Sequence, residues 1–424
     1  MQKTSPSKFT LKISLATVFA FTTVVATSGF ADEWPQYRGA KSDGKSAETI
    51  GEIDWSDGPM VLWKKPTELG FSSFSISNAK AFTLVVRDGA QTCIAMNADT
   101  GEELWKHSFS KSDYGRGGGD AGAPGNKGGD GPRSTPSVDG DHVYVYDGQM
   151  ILACLNAEDG KLVWQQDLIK DFGGRIVKWA NATSPLVDGD LVFVGGGGSG
   201  QSMIAFNKTT GEPVWKTGDE LFTHATPIAT TINEKKQIIF FMQSGLISVN
   251  PEDGKEIWRS AFPYSVSTAA SPVVDGNNVF CSAGYGVGAG LYKIDTESKV
   301  EEVWRRPNRL INHWSTPVVY DGHLYGMFAF KKYGKGPLQC IELATGEIKW
   351  EKRGFGPGNC IIVSDKVIAL SDSGEVVVVD ASPNEYKEIA RAKVLNGKCW
   401  STPAYSDGRI YVRSTEEGAC ISLK

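Results

Sequence analysis

The sequence predicts an all-β chain folded as an eight-bladed β-propeller, and three observations carry that expectation. The first is a ten-residue phrase: MNADTGEELW (Met96 to Trp105), LNAEDGKLVW (Leu155 to Trp164), FNKTTGEPVW (Phe206 to Trp215), VNPEDGKEIW (Val249 to Trp258) and IELATGEIKW (Ile341 to Trp350). A polar residue, a Thr-Gly or Asp-Gly turn and a Trp keep fixed offsets, and a strand-turn-strand unit repeating at roughly 40–50 residues is a blade signature. The second is a blade-opening phrase: STPSVDGDHVYVY (from Ser134), TSPLVDGDLVFVG (from Thr183), ASPVVDGNNVFCS (from Ala270), STPVVYDGHLYGM (from Ser315) and STPAYSDGRIYVR (from Ser401). The third is the count. Two degenerate copies join the series, one bracketed by Asp295 and Trp304 with its turn rebuilt as Thr-Glu-Ser-Lys, one opened by Asp380 with Ala390 near the Trp register. The Trp positions then run 63, 105, 164, 215, 258, 304, 350 and, by register, about 390, which makes eight.

Within a blade, Pro is tolerated at the start of strand A, and Asp-Gly between two apolar runs marks the hairpin to strand B. A variable hairpin leads to strand C, and the Thr-Gly turn leads to strand D, which ends at the Trp. The repeated Trp is read as packing between blades, where aromatic burial dominates. Trp63 sits in VLWKK with no repeat phrase before it, while the chain ends in ACISLK with no Trp after it. Each is the missing half of the other. Pairing of Trp34–Lys65 with Gly418–Lys424 is therefore expected to close the ring and remove its open edge.

Residues 1–31 read as a cleaved secretory signal. Lys3, Lys8 and Lys12 precede an apolar stretch from Ile13 to Ala26, and Gly29-Phe30-Ala31 supplies a small-x-small cleavage pattern. The expected location is periplasmic or extracellular, without a lipid-attachment cysteine and with no transmembrane span after cleavage. Losing those three lysines takes the formal charge from -5 to -8, which disfavours nucleic acid or anionic lipid as a partner. The cysteines do not read as a disulfide framework. Cys154, Cys340 and Cys420 share a strand C slot with Ala95, Ala205 and Ser248, so they behave as small buried side chains on separate blades. Cys360 and Cys399 lie outside that slot.

Turns A–B and C–D are short and share one face. Hairpins B–C (195–200, 284–290 and 331–336) and connections D–A share the other, and there the chain varies. Binding residues concentrate on variable loops held by a rigid scaffold. The residues just before each strand A should ring the channel mouth: Arg133 with Ser134 and Thr135; Trp179, Asn181 and Thr183; His224 with Thr226; Ser267 and Thr268; Asn312, His313 and Trp314; Trp400 with Ser401. Arg133, Trp179, Asn181, His224, His313, Trp314 and Trp400 are the ligand-binding candidates, polar groups with aromatic walls in a concave mouth. The competing reading has these side chains bonding the loops together and filling the channel. The Gly-rich run 115–131 lacks a Gly-Lys-Ser/Thr ending and opens no helix, so it reads as a flap rather than a phosphate cradle. No HExxH, Cys-x-x-Cys or Cys-x-x-Cys-His occurs. Blade spacing argues against His224 and His313 sharing a metal, and no catalytic residue is assigned.

The phrase in IAMNADTGEELW and IAFNKTTGEPVW resembles the repeat of pyrroloquinoline-quinone-type propellers. These are the eight-bladed folds of quinoprotein alcohol dehydrogenases and of the propeller lipoprotein of outer-membrane protein assembly. WPQYRG (Trp34 to Gly39), GPRSTP (Gly131 to Pro136) and NGKCW (Asn396 to Trp400) resemble more closely the secreted quinoprotein-like propellers of planctomycete-type bacteria. The dehydrogenase resemblance implies an adjacent cysteine pair, a Glu/Asn/Asp calcium site and a catalytic Asp. No adjacent Cys pair exists here, so those roles do not carry over. One superfold hosts many activities. The expected function is a binding or protein-interaction scaffold in the cell envelope. The alternatives are a dehydrogenase of alcohols or sugars using pyrroloquinoline quinone with calcium, and a polysaccharide-binding propeller working through Trp179, Trp314 and Trp400.

Overall fold

Strand order in the sheets follows the repeat. The first blade comprises Ser75–Ser77, Lys80–Arg87, Ala90–Asn97 and Glu103–Lys111, paired antiparallel in that order from the channel outward. Seven more sheets of the same plan complete an eight-bladed β-propeller. This is a computed structural model, and it describes residues 1–5, 33–113 and 131–423. The chain divides into Met1–Ala31 and the propeller unit Asp32–Lys424. The signal-peptide reading falls almost entirely on residues outside the described ones, as does the Gly-rich run from 115 to 130. Among the described residues no helix is long and apolar enough to cross a membrane.

The ten-residue phrase has a mechanism in each of its parts. Its Asn caps the turn: Asn97 Oδ1 accepts the backbone N–H groups of Asp99 and Thr100, both at 2.9 Å, and Asn207 does the same for Thr209 and Thr210. This is the side-chain turn that Asn favours. Its Gly is required twice over. Gly211 sits at φ +74°, and a Cβ there would lie 2.5 Å from the Trp164 ring of the preceding blade. Gly101, Gly160 and Gly254 meet Trp63, Trp105 and Trp215 in the same way. The indole N–H completes the lock by donating to a carbonyl of that turn, Trp164 to Lys208 at 2.9 Å and Trp215 to Pro251 at 2.8 Å.

The degenerate copies follow from the same lock. Trp258 faces the rebuilt turn of the fifth blade and donates instead to Gln237 Oε1 at 2.6 Å. Ala390 replaces Trp in the seventh blade, and the eighth blade has no C–D turn to receive a ring, because the chain opens there. Across the ladder, Ala95, Cys154, Ala205, Ser248, Cys340 and Cys420 each stand opposite a Trp. Opposite Ala390 the slot widens to Val378. In six blades the small slot is thus the cross-strand partner of a large ring, while in the fifth Leu291 stands opposite Trp304. All seven cysteines are free and buried, and burial pushes the Cys154 thiol up to about 12.

The last blade closes the ring. Ala404–Ser406, Arg409–Arg413 and Glu417–Ser422 come from the C-terminal end, and Val61–Pro66 adds strand D with Trp63 opposite Cys420. Arg413, 1% exposed, rivets the seam by donating to Thr83 Oγ1 and to the carbonyls of Leu84, Thr67 and Glu68.

The pairing is narrower than the sequence reading expects, and Trp34 is not part of it. Residues 34–48 instead cross the channel on the A–B turn face. Trp34 bridges Ile76 in the first blade, Pro35 O accepts from Val138 in the second, and Gln36 Oε1 accepts from Val187 in the third. Arg38 then donates to the carbonyls of Thr316 and Pro317 in the sixth at 2.8 and 2.9 Å. Lys45–Ser46 pairs in parallel with Asn359–Val363 of the seventh, and Glu48 reaches Asp407 and Gly408 of the eighth. Left-handed φ at Arg38, Gly39, Ser42 and Gly44 coils this segment, which is why it cannot run on as a strand.

Candidate functional site

The Ser and Thr of the blade-opening phrase serve the ring. Thr135 Oγ1 accepts from Ser73 N–H, Ser184 Oγ from Thr135 N–H, Thr226 Oγ1 from Ser184 N–H and Thr316 Oγ1 from Ser271 N–H. Ser73 Oγ takes Thr402 N–H across the seam. A belt of hydroxyls thus ties inner strand to inner strand, and this answers for much of the polar mouth read from the sequence. Asn181 belongs to the same class. It is buried, donates to the carbonyls of Tyr146, Asp147 and Thr183, and accepts from Thr183 N–H. It does not line the cavity.

The other six candidates converge. Arg133, Trp179, His224, His313, Trp314 and Trp400 all line one cavity of about 380 Å³ at the variable-loop mouth. Residues that the sequence reading missed complete it: Phe71 and Lys178 from D–A connections, Tyr285, Phe330, Lys331 and Tyr333 from B–C hairpins, and Tyr37 from the channel-crossing segment. The hairpins 284–290 and 331–336 are legible as variable, and their Tyr and Lys residues were the available signal. Tyr37 had none, because its segment looked like part of a strand.

The aromatic walls stack mainly on one another. Trp400 lies 4.8 Å from Phe71 at 18° and 4.3 Å from Trp314 at 32°. Trp179 and Tyr285 are parallel within 17° with centroids 6.2 Å apart. His313 and Phe330 set their edges against Tyr285 at 5.3 and 4.8 Å. Cations sit over these rings: Lys178 Nζ 4.7 Å from the Trp179 centroid, Lys331 Nζ 4.6 Å from Tyr285, Lys398 Nζ 4.6 Å from Trp400 and the Arg133 guanidinium carbon 5.8 Å from Phe71. Among the described residues the lining holds Arg133, Lys178 and Lys331 and neither Asp nor Glu. Asp372 acts electrostatically on Lys398 and Tyr333 from outside it.

Both buried imidazoles are neutral at physiological pH. Burial first, and then Arg133, lowers His224 to about 4. Its Nε2 meets the Lys178 carbonyl at 2.9 Å, so Nε2 carries the proton and Nδ1 accepts from Ser267 Oγ at 2.8 Å. Burial, His224 and Lys331 lower His313 to about 3. Its Nδ1 and the Trp400 indole N–H have no hydrogen-bond partner among the described residues. The ring does bring the two histidines into mutual influence, but without a carboxylate among the described residues. No group of three metal-ligating side chains occurs among the described residues.

A family model described as outer membrane protein assembly factor BamB matches residues 89–352, and the chain belongs to that family. The BamB of Yersinia pestis is 23% identical over 346 residues, which cover 77% of this chain and 70% of that one. The tetrathionate hydrolase of Acidithiobacillus ferrooxidans is 26% identical over 58% of this chain, and the match spans only 42% of that enzyme. Among solved structures, BamB from Moraxella catarrhalis has a TM-score of 0.60 at 14% identity, covering 86% of this chain and 97% of its own. A quinohemoprotein alcohol dehydrogenase from Comamonas testosteroni has a TM-score of 0.68 at 12% identity, covering 92% and 80%. These structures establish the shared propeller fold.

Proposed function

We propose that this protein is a non-catalytic binding propeller of the cell envelope that holds its partner on the variable-loop face, with the mouth cavity as the point of recognition. The observation that carries this reading is the lining itself, aromatic and cationic, with no carboxylate among the described residues. Such a surface suits capture of an anionic or aromatic group. Membership of the family described as outer membrane protein assembly factor BamB supports a partner that is an envelope protein.

The same lining fits a quinone dehydrogenase poorly. Pyrroloquinoline quinone brings carboxylates that Arg133 and Lys331 could meet, but its calcium needs oxygen ligands, normally including carboxylates. Arg133, Lys178 and Lys331 repel a dication, and among the described residues no lining acid is placed to accept a substrate proton. The test is to add the quinone with calcium to purified protein and follow dye-linked oxidation of alcohols and sugars. No turnover is expected. Oxidation that is lost in Arg133→Ala and Trp400→Ala variants would replace the scaffold reading with the dehydrogenase.

A further inference from the structure

Three non-glycine residues with left-handed backbone meet at one side of the cavity: Trp179 at φ +70°, Tyr285 at +56° and Lys331 at +55°. For bulky side chains this conformation costs about 1–2 kcal/mol each, and such strain collects where a ligand is gripped. Tyr285 links the other two. Tyr285 stacks parallel to Trp179 and carries Lys331 over its face, while Lys178 covers Trp179. Two ammonium groups therefore flank one pair of strained rings. Neither Lys178 nor Lys331 has an ion-pair partner among the described residues. Beside them His313, 9% exposed, keeps Nδ1 without a partner.

We propose that this half of the cavity is a subsite for an anionic saccharide, a uronate or a sugar sulfate. Lys178, Lys331 and Arg133 take the charged group, Trp179 and Tyr285 border the sugar ring, and His313 Nδ1, without a partner among the described residues, meets a hydroxyl. The chemistry favours a sugar over an acidic peptide for two reasons. The cavity is a small-ligand volume, about 380 Å³, rather than an extended groove. Aromatic rings also line it on several sides, and His313 Nδ1 is a buried polar atom without a partner among the described residues. The inference rests on the cavity being the recognition point of the binding propeller.

The test titrates the full chain with galacturonate trimer, a heparin-derived tetrasaccharide, neutral galactose trimer, hexaglutamate and pyrroloquinoline quinone. It follows tryptophan fluorescence and calorimetric heat. At least one acidic saccharide should bind, with affinity falling about tenfold between low and moderate salt. The neutral trimer should bind at least about tenfold more weakly. The uronate and sulfate arms decide which anion is native. The double variant K178A/K331A should lose about tenfold or more, K178R/K331R should retain binding, and both side chains being exposed, the melting temperature should hold. Equal binding of the neutral trimer, binding of neither acidic saccharide, or tighter binding of hexaglutamate or of the quinone would each overturn the proposal. If the saccharides fail while an envelope partner still docks on this face, only the ligand assignment fails and the binding propeller stands.

Discussion

Removing the last seven residues abolishes cooperative folding. The deletion takes away Gly418–Lys424 and with it most of the strand that pairs with Val61–Pro66. Ile421 and Leu423, both 0% exposed, are together worth about 3–6 kcal/mol of burial. Loss of the ladder to Trp63, Lys64 and Lys65 opens two unpaired sheet edges as well. That sum is comparable with the whole stability of an ordinary domain, about 5–15 kcal/mol. Arg413 would also be left at an open seam, its guanidinium lowered to about 9 by burial and its acceptors in the first blade no longer held in place. Circular dichroism melting of the truncated chain should show a broad or absent transition. A wild-type melting curve would mean that the ring does not depend on this closure.

The second large effect concerns the indole lock. Trp164→Ala or Trp215→Ala should destabilise the protein by ~3–5 kcal/mol in chemical denaturation. Each ring is 8% exposed, packs against a turn glycine of the next blade and donates its N–H to that turn. The alanine leaves a cavity and an unpaired carbonyl together. Losses near zero would show that the next blade does not rest on the ring.

The fold was legible because every part of the repeat acts within one blade or on its immediate neighbour. Asn, Gly, Trp and the small slot opposite the Trp are one short-range machine, copied often enough that even its failures, Ala390 and the rebuilt turn after Asp295, can be placed. The site was legible only as far as this logic extends. Six of the seven residues read from the stretches before strand A line the mouth cavity, but the sequence could not separate Thr135 and Asn181, which bond neighbouring backbone, from His313 and Trp400, which line the cavity with a ring nitrogen unpaired among the described residues. That distinction depends on which carbonyl or amide each side chain meets across blades. Tyr37 was invisible for another reason. Pro35, Arg38 and Gly39 coil the segment across the channel, where alternation along the chain no longer reports which way a residue faces.

If the variable-loop face is the working face, a partner must be reached from it and not from the opposite face. A photo-crosslinking amino acid is placed at Tyr333, beside the cavity mouth, or at Thr209, on a Thr-Gly turn of the opposite face, and irradiated in the native cell. A discrete crosslinked partner is expected from position 333, suppressed by K178A/K331A, and none from position 209. Crosslinking from 209 with none from 333 would contradict that expectation.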